Sequence, residues 1–543
     1  MAFLQRYSRN DYERYYAAGY WSSDHLLDTL ADHVAGRPDA PAVVDGDQTT
    51  SWAGLDRLVD AAAQALTARG IGTGDVVGVQ LPNSLHLVVV CLALLRIGAV
   101  YNPVNPSYRL HDVTKIYRIS QPKLHIYTPR HRNYDYEPLV GQLLAAPGAR
   151  FTPFMVDVDK PADTVFAPAD TPARFTRPDP DAIYLLGSTS GSTGDPKIYM
   201  HTQNSQFNEA RFLNRAMGLT AADRILVFAP MTHRGGFMWG FMQAMASGAT
   251  LVIQREFDPA DMIDRIVRYG VTSLFAIPNQ VVELLTVSES RGTGGESLRV
   301  LMMAGAPVLP EIVARLKKRW PQCAPVTGFG SSETGFAVVT RPDYPLSQLQ
   351  TCGKPLDGME ITVDRSDAPK DRSGELLIRG PFVFAGYYDN QPGTDAACDR
   401  NGWFRTGDRG YLDKDGNVIV TGRNKNVVIR SGLNIQAEEV EAVMMRHPAI
   451  SHVVVVGKND LRTGERAIAC LPATSAEGLT LTALTGFLDG LGVAKFKWPE
   501  GLVVMDELPL NAAGKFDRIR LREMLRDVAI EPGTMMRLEQ RNG

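Results

Sequence analysis

Cysteine is scarce in this chain, and its spacing fits neither a disulfide frame nor a zinc site. The 543 residues include five cysteines, which lie far apart and form no CxxC pair. Disulfide-rich and zinc-binding proteins need paired or closely spaced cysteines. The sequence therefore predicts reduced thiols in a cytoplasmic protein.

Long hydrophobic runs are also absent. The longest apolar run, Leu87 to Leu95, ends at Arg96, and it is far shorter than the ~20 residues that a membrane-spanning helix needs. The N-terminal segment, MAFLQRYSRNDYERYYAAGYW, is polar and aromatic and lacks the apolar region of a signal peptide. These features predict a soluble protein without a membrane span.

Neither sign of charge is in large excess. The chain has 57 Lys and Arg residues against 60 Asp and Glu residues, a formal charge of −3. Proteins that bind nucleic acids usually present a basic field or a basic cluster, and no long Lys/Arg run is present. We therefore expect no nucleic-acid partner.

What the sequence does contain is a repeated alternation of strands and helices. From Ala42 to about Thr340, short β-rich runs such as Val76–Leu81 alternate with helix-length segments such as LHLVVVCLALLRIGA. This alternation is typical of parallel sheets covered by helices on both faces. A chain of this length also exceeds what one hydrophobic core supports. We expect two doubly wound α/β blocks, one before and one after about Pro178.

The pattern changes after about Gly353. ITVDR, GELLIRG, GYLD and NVIVTG read as short strands separated by turns, which predicts a small β-barrel or an antiparallel sheet. Beyond Arg430 a helix is expected at Ala437–Arg446 and a strand at Ile450–Val456. The predicted fold class is α/β: two doubly wound subdomains and a small β-barrel, followed by a small α/β unit.

A glycine- and hydroxyl-rich segment between Tyr184 and Lys197 is the strongest local signal for a binding site. An apolar run enters STSGSTGDPK; glycines let backbone N–H groups approach an anion, hydroxyls add donors, and the lysine neutralises charge. The spacing is not that of the Walker loop. A flexible Gly/Ser linker is the alternative, although a linker rarely places Asp-Pro-Lys directly after a strand. The residues alone leave both interpretations open.

This loop resembles the signature loop of the adenylate-forming superfamily, which includes acyl-CoA synthetases, peptide-synthetase adenylation domains and luciferases. The resemblance covers the chain from about Asp24 to Leu525. Five further stretches resemble that family in the same order: FAPMTHRGG (228–236), MAGAPV (303–308), GFGSSETG (328–335), GWFRTGDRGYLDKDG with GRNKNVVIRSGLNIQAEEVE (402–441), and PLNAAGKFDR (509–518). The resemblance implies a large N-terminal domain at 1–422 that binds acid and ATP, a hinge at 423–426, and a small mobile α+β domain at 427–543 that carries a catalytic lysine.

The resemblance implies three catalytic residues. Lys515 would stabilise the charge that develops when a carboxylate attacks the α-phosphate, and Glu333 would ligate Mg²⁺. His233 would lie at the mouth of the acyl pocket and orient the carboxylate or gate the thiol, although Thr232 replaces the aromatic residue common before it. Outside the family context, such a lysine is usually a solvated surface charge and such a histidine a hydrogen-bonded loop residue.

The same resemblance implies the residues that bind ATP and shape the path of coenzyme A. Asp408 would accept hydrogen bonds from both ribose hydroxyls. Phe329 and Ser332 replace the usual Tyr and Thr but keep the ring and the hydroxyl. The full set is Ser188, Thr189, Ser190, Gly191, Ser192, Thr193, Gly194, Lys197, Gly305, Ala306, Pro307, Gly328, Phe329, Gly330, Ser331, Ser332, Asp408, Arg423, Lys425 and Gly432.

The acyl pocket implied by family position is apolar and partly aromatic, and it consists of Phe237, Met238, Ala304 and Val338. Such a lining suits an aromatic, alicyclic or medium-size acid. The expected reaction is ATP-dependent formation of an acyl-AMP with release of pyrophosphate, then transfer to coenzyme A, with ATP, Mg²⁺ and coenzyme A as cofactors.

The sequence leaves other functions open. The acceptor could be the phosphopantetheine of an acyl or peptidyl carrier protein, or the adenylate could serve another acceptor, as in nitrite/amine diazotisation. A catalytically dead homologue would only bind nucleotide, and an ordinary NTPase or kinase would release ADP instead of AMP.

Overall fold

The computed structural model describes residues 6–167, 175–189, 196–306, 308–366, 372–423, 427–450, 452–460, 462–475, 478–510 and 516–538. The chain divides into two compact units. The large unit comprises Met1–Pro106, Tyr117–Ser188 and Ile198–Gly422, and the small unit comprises Ser107–Ile116, Thr189–Lys197 and Arg423–Gly543. Within the described ranges, no helix combines the length and the apolar composition needed to cross a bilayer.

The strands up to residue 423 are β1 (Pro41–Asp45), β2 (Gln48–Ser51), β3 (Val76–Gln80), β4 (Val100–Pro103), β5 (Leu124–Tyr127), β6 (Arg130–His131), β7 (Tyr134–Asp135), β8 (Thr152–Met155), β9 (Ile183–Thr189), β10 (Lys197–Thr202), β11 (Arg224–Val227), β12 (Thr250–Ile253), β13 (Ser273–Ala276), β14 (Val300–Met303), β15 (Ala324–Ser331), β16 (Gly335–Val339), β17 (Lys354–Pro355), β18 (Glu360–Asp364), β19 (Gly374–Arg379), β20 (Gly386–Tyr387), β21 (Phe404–Leu412) and β22 (Val418–Arg423).

The helices of the same region are α1 (Arg9–Ala17), α2 (Leu26–Gly36), α3 (Trp52–Ala68), α4 (Leu85–Arg96), α5 (Leu110–Ser120), α6 (Glu137–Ala145), α7 (Ala162–Val165), α8 (Gln203–Met217), a π-helix (Gly236–Met242), α9 (Gln243–Ser247), α10 (Pro259–Tyr269), α11 (Pro278–Arg291), α12 (Pro310–Arg319), a 3₁₀ turn (Leu346–Gln348) and α13 (Gln391–Ala397).

Two sheets dominate the large unit. A nine-stranded sheet has the order β17-β16-β15-β14-β13-β11-β12-β1-β2, and a seven-stranded sheet has the order β20-β10-β9-β4-β3-β5-β8. The strands from β15 to β1 and from β9 to β8 run parallel. The mixed α/β class predicted from the alternating pattern is confirmed.

The sheets do not divide the chain at Pro178. Strands β1 and β2 precede that residue but join the nine-stranded sheet, while β9, β10 and β20 follow it but join the seven-stranded sheet. Each sheet therefore takes strands from both halves of the chain. Which strands pair depends on long crossover connections, and the local pattern of hydrophobic residues does not indicate where those connections lead.

Helix α4 shows why one segment lacks amphipathic periodicity. Its residues from Leu85 to Leu95 are all buried, so no face of the helix is left to solvent. Ser84 caps its N-terminus, and the Ser84 hydroxyl accepts a hydrogen bond from the Leu87 N–H at 3.2 Å, as a helix start requires.

The β-rich region after Gly353 forms a four-stranded sheet with the order β18-β19-β21-β22. Strands β18, β19 and β21 pair antiparallel. This arrangement is the antiparallel sheet that the short strands and turns predict.

The small unit is built from β23 (Val427–Arg430), β24 (Leu433–Gln436), α14 (Ala437–Met444), β25 (Val454–Asp460), β26 (Gly464–Pro472), a 3₁₀ turn (Ala473–Ser475), α15 (Leu481–Gly490), a 3₁₀ turn (Lys495–Lys497), β27 (Gly501–Met505), α16 (Arg518–Leu525) and β28 (Thr534–Leu538). Its sheet has the order β24-β23-β26-β27-β28, with β25 pairing β26. Helix α14 ends two residues before Arg446, and the strand expected from Ile450 begins at Val454, because a turn follows the helix.

Candidate active site

Several predicted site segments meet at one edge of the nine-stranded sheet. The parallel strands β13, β14 and β15 are in register, with Ala276 opposite Met303 and Met303 opposite Thr327. Ala304, directly after β14, and Gly328, in the neighbouring strand β15, therefore lie at the same level of the sheet. The carboxyl ends of parallel strands are where α/β folds bind ligands. The structure thus brings the 304–306 segment and the 328–332 segment together.

The segment 328–335 forms a tight reversal between β15 and β16. Phe329 pairs with Val338, and Ser331 pairs with Gly335. The Ser331 N–H donates to the Thr334 hydroxyl at 2.9 Å, and the Glu333 N–H donates to the Ser331 hydroxyl at 3.2 Å. Gly335 has a φ of +66°. These local bonds hold Glu333 within the turn.

Glu333 is the candidate metal ligand, and its side chain is largely buried, with 9% of its surface exposed. The Tyr387 hydroxyl donates to Glu333 Oε1 at 3.0 Å. Burial, followed by the Glu333 charge, raises the pKa of Tyr387, so the phenol stays protonated and remains a donor. Tyr387 orients the carboxylate, and the sequence analysis missed it because it lies on another sheet.

The single carboxylate of Glu333 suits a hard cation whose other ligands come from a substrate and from water. In the described part of the chain, no cluster of three or more His, Cys, Asp or Glu side chains could hold a metal ion. Mg²⁺ is commonly bound through one or two carboxylates plus substrate phosphates and water. Glu333 fits that pattern, and a bound Mg²⁺ would neutralise phosphate charge.

His233 lies in the loop between β11 and the π-helix. Its N–H donates to the Pro230 carbonyl at 2.9 Å, and its carbonyl accepts from the Phe237 N–H at 2.9 Å. Desolvation, together with the adjacent Arg234 charge, lowers the pKa of His233. The imidazole is therefore neutral near pH 7 and has one nitrogen that can accept a hydrogen bond.

The four predicted pocket residues share one apolar cluster. Phe237, Met238, Ala304 and Val338 are all buried and belong to the same core. Phe237 and Met238 lie on the π-helix Gly236–Met242, an element often found at functional sites. The Phe237 ring stacks on Tyr101, with 5.8 Å between the ring centroids.

Asp408, the candidate ribose ligand, lies on β21 and is 4% exposed. Its N–H donates to the Thr406 hydroxyl at 3.0 Å. The four-stranded sheet, rather than the sheet that carries Glu333, positions this residue.

The structure describes some of the remaining predicted residues but not others. Ser188 and Thr189 end β9, Lys197 begins β10, Arg423 ends β22, and Gly432 lies in the turn between β23 and β24 with a φ of +80°. The predicted site residues that lie outside the described residues are Ser190, Gly191, Ser192, Thr193, Gly194, Pro307, Lys425 and Lys515.

A buried polar cluster beside His233 escaped the sequence analysis. The Arg234 guanidinium donates to Glu209 and to Gln206, both on α8. Burial raises the pKa of Glu209, and the Arg234 charge opposes that shift. The position of Arg234 directly after His233 was a usable signal, whereas nothing in the α8 sequence indicates that Glu209 approaches it.

Two family models match the chain. A model described as AMP-binding enzyme matches residues 30–388, and one described as AMP-binding enzyme C-terminal domain matches residues 439–515.

Individual proteins match over nearly the whole length. The chain is similar to a salicylyl-CoA synthase / salicylate adenylyltransferase of Streptomyces sp (32% identity; 95% of this chain, 96% of that protein). It is similar to a medium-chain fatty-acid–CoA ligase of Escherichia coli (31%; 94% and 92%) and to a salicyl-AMP ligase / salicyl-S-ArCP synthetase of Mycobacterium tuberculosis (32%; 96% and 93%). Among solved structures, o-succinylbenzoate CoA synthetase of Bacillus subtilis matches with a TM-score of 0.79 (26%; 91% and 98%).

Proposed function

Because the chain belongs to the AMP-binding enzyme family, we propose that it activates a carboxylic acid as an acyl-AMP, with release of pyrophosphate, and transfers the acyl group to coenzyme A. The observation that carries the proposal is the convergence of segments 304–306 and 328–332 at one sheet edge, beside the buried Glu333 carboxylate. That edge offers backbone groups to a nucleotide and one carboxylate to its cation.

In the adenylation half-reaction, this chain's residues bind and orient. Lys197 and the hydroxyls of Ser188 and Thr189 would contact the phosphates, Asp408 would hold the ribose hydroxyls, and Glu333 would ligate Mg²⁺. Lys515 would stabilise the charge that builds up at the α-phosphorus during attack by the acid. The AMP-forming outcome follows, because the acid oxygen bonds to the α-phosphorus and pyrophosphate leaves.

The proposed acid is aromatic, alicyclic or medium-size. Support comes from the apolar cluster that contains Phe237, Met238, Ala304 and Val338 and from relatives that act on salicylate and on medium-chain fatty acids. A neutral His233 can donate its ring N–H to the substrate carboxylate, and its other ring nitrogen can accept a hydrogen bond from the incoming thiol.

A carrier-protein phosphopantetheine is the second candidate acceptor. The similarity to the salicyl-S-ArCP synthetase favours it, whereas the similarities to CoA ligases favour free coenzyme A. Both acceptors present the same thiol-bearing pantetheine arm, so the adenylation chemistry is common to the two candidates.

The test is acid-dependent pyrophosphate release across a panel of aryl, alicyclic and C6–C16 linear acids, with and without coenzyme A. We expect AMP as the nucleotide product and an acyl-CoA by mass. Formation of ADP, or no pyrophosphate with any acid, would overturn the adenylation proposal. Adenylate formation that yields thioester only with a phosphopantetheinylated carrier protein would replace coenzyme A as the acceptor.

A further inference from the structure

The Arg234–Glu209 pair is buried next to the candidate active site. Glu209 on α8 is fully buried, and Arg234 is 7% exposed. The guanidinium bonds to the Glu209 carboxylate and to the Gln206 side-chain amide. A buried ion pair is weak evidence for a stabilising role, because removing two charges from water offsets their attraction. The other contacts of the Glu209 carboxylate therefore say more about the role of the pair than the ion pair itself does.

The second contact of Glu209 is with the turn that carries Glu333. Glu209 Oε1 accepts a hydrogen bond from the Phe336 N–H at 2.9 Å. The fit is close: a Cβ added to Gly335 would lie 2.5 Å from the Glu209 carboxylate oxygens. The carboxylate thus lies directly against the backbone just after Glu333.

A separate contact holds the backbone just before Glu333. His201 Nε2 donates to the Ser332 carbonyl at 2.8 Å. Glu333 is therefore bracketed by one side-chain anchor on each side. Of the two anchors, the one through Glu209 also reaches Arg234, the residue adjacent to His233.

We propose that Arg234 and Glu209 are positioning residues. Through them the segment that carries His233 holds the 332–336 turn, and with it the Glu333 carboxylate, in a fixed position. Neither residue is required to touch a reacting atom. That this turn positions a ligand of Mg²⁺ rests on the function proposed above. Misplacement of a catalytic group by about 1 Å can cost on the order of 100-fold in rate, so loss of the pair should be visible in kinetics.

The decisive variant is the double substitution Glu209→Leu with Arg234→Met, which removes both charges together and leaves neither buried alone. We expect the Mg²⁺ concentration for half-maximal pyrophosphate release to rise about tenfold and kcat to fall about tenfold or more. The KM for the acid should change less than about twofold. Glu209→Gln with Arg234→Met, which keeps an acceptor oxygen for the Phe336 N–H and leaves no charge unpaired, should restore much of the wild-type Mg²⁺ dependence.

The matched control is Asp223→Leu with Arg299→Met. Asp223 is also buried, and it accepts from Arg299 at 2.7 Å and from Thr272 at 2.7 Å, but it does not contact the 332–336 turn. This control should lower the thermal midpoint without changing the Mg²⁺ dependence. Equal kinetic behaviour of the two double variants would overturn the positioning role, and so would a change confined to the KM for the acid.

Amide hydrogen exchange separates this inference from the proposed function. In the Glu209→Leu/Arg234→Met variant, a peptide that contains Phe336 should exchange faster than in the wild type and in the control. Pyrophosphate release absent from the wild type with every acid would refute the proposed function alone, and the exchange comparison would still decide the anchor. Unchanged exchange at Phe336 would refute the anchor.

Discussion

Replacing Gly335 by alanine should damage the candidate active site far more than the same substitution at another glycine of similar φ. Gly335 has a φ of +66°, and a residue with a Cβ pays about 1–2 kcal/mol in the left-handed region. The new Cβ would also lie 2.5 Å from the Glu209 carboxylate. Moving that carboxylate breaks its bond to the Phe336 N–H, and a hydrogen bond to a charged group contributes roughly 1.5–3 kcal/mol. The total cost is about 2.5–5 kcal/mol.

Gly218→Ala is the matched control for this substitution. Gly218 ends α8 with a φ of +64°, and its added Cβ would meet no atom within 4 Å. It should cost only the ~1–2 kcal/mol of backbone strain and leave pyrophosphate release unchanged. Thermal unfolding and pyrophosphate release of both variants provide the comparison. If Gly335→Ala matched Gly218→Ala in both measurements, the close contact between Glu209 and the turn would be refuted.

Three further predictions concern other groups. Tyr387→Phe removes the donor to Glu333 Oε1 and should lower the thermal midpoint and raise the half-saturating Mg²⁺ concentration; an unchanged Mg²⁺ titration would contradict an orienting role. Lys515→Ala should abolish acid-dependent pyrophosphate exchange yet still convert a supplied acyl-AMP to thioester, and equal loss of both steps would refute that division. Burial lowers the pKa of His25 to about 4 from 6.5, so the unfolded chain binds the proton more readily than the folded chain does. The free energy of unfolding should therefore be unaffected above pH 6.5 and should fall by about 3 kcal/mol between pH 6.5 and 4. In His25→Asn, the amide oxygen can take the place of His25 Nδ1 as the acceptor for the Leu27 N–H, and urea unfolding should show a smaller loss of stability between pH 6.5 and 4. Parallel pH profiles of the two proteins would contradict the assignment.

The candidate site segments could be named from the sequence because each is a short local motif that resembles one of the family. Ala304 follows β14 and Gly328 lies in the last part of β15, and strands of a parallel sheet bring their carboxyl ends to one edge. The short hydrophobic runs also predicted the α/β class. Such inferences need only the order of residues within about ten positions, which is the range over which turn chemistry and periodicity act.

The sequence alone thus determined the alternation of strands and helices, and it marked the glycine- and hydroxyl-rich segment and the GFGSSETG motif that contains Glu333. Only the tertiary structure decided that β1 and β2 join the nine-stranded sheet, that Tyr387 donates to Glu333, and that Glu209 lies against the turn after it. These contacts join residues 54 and 127 positions apart. They form because long crossovers bring separate elements together and because a buried carboxylate must find donors, and neither cause leaves a local pattern in the chain.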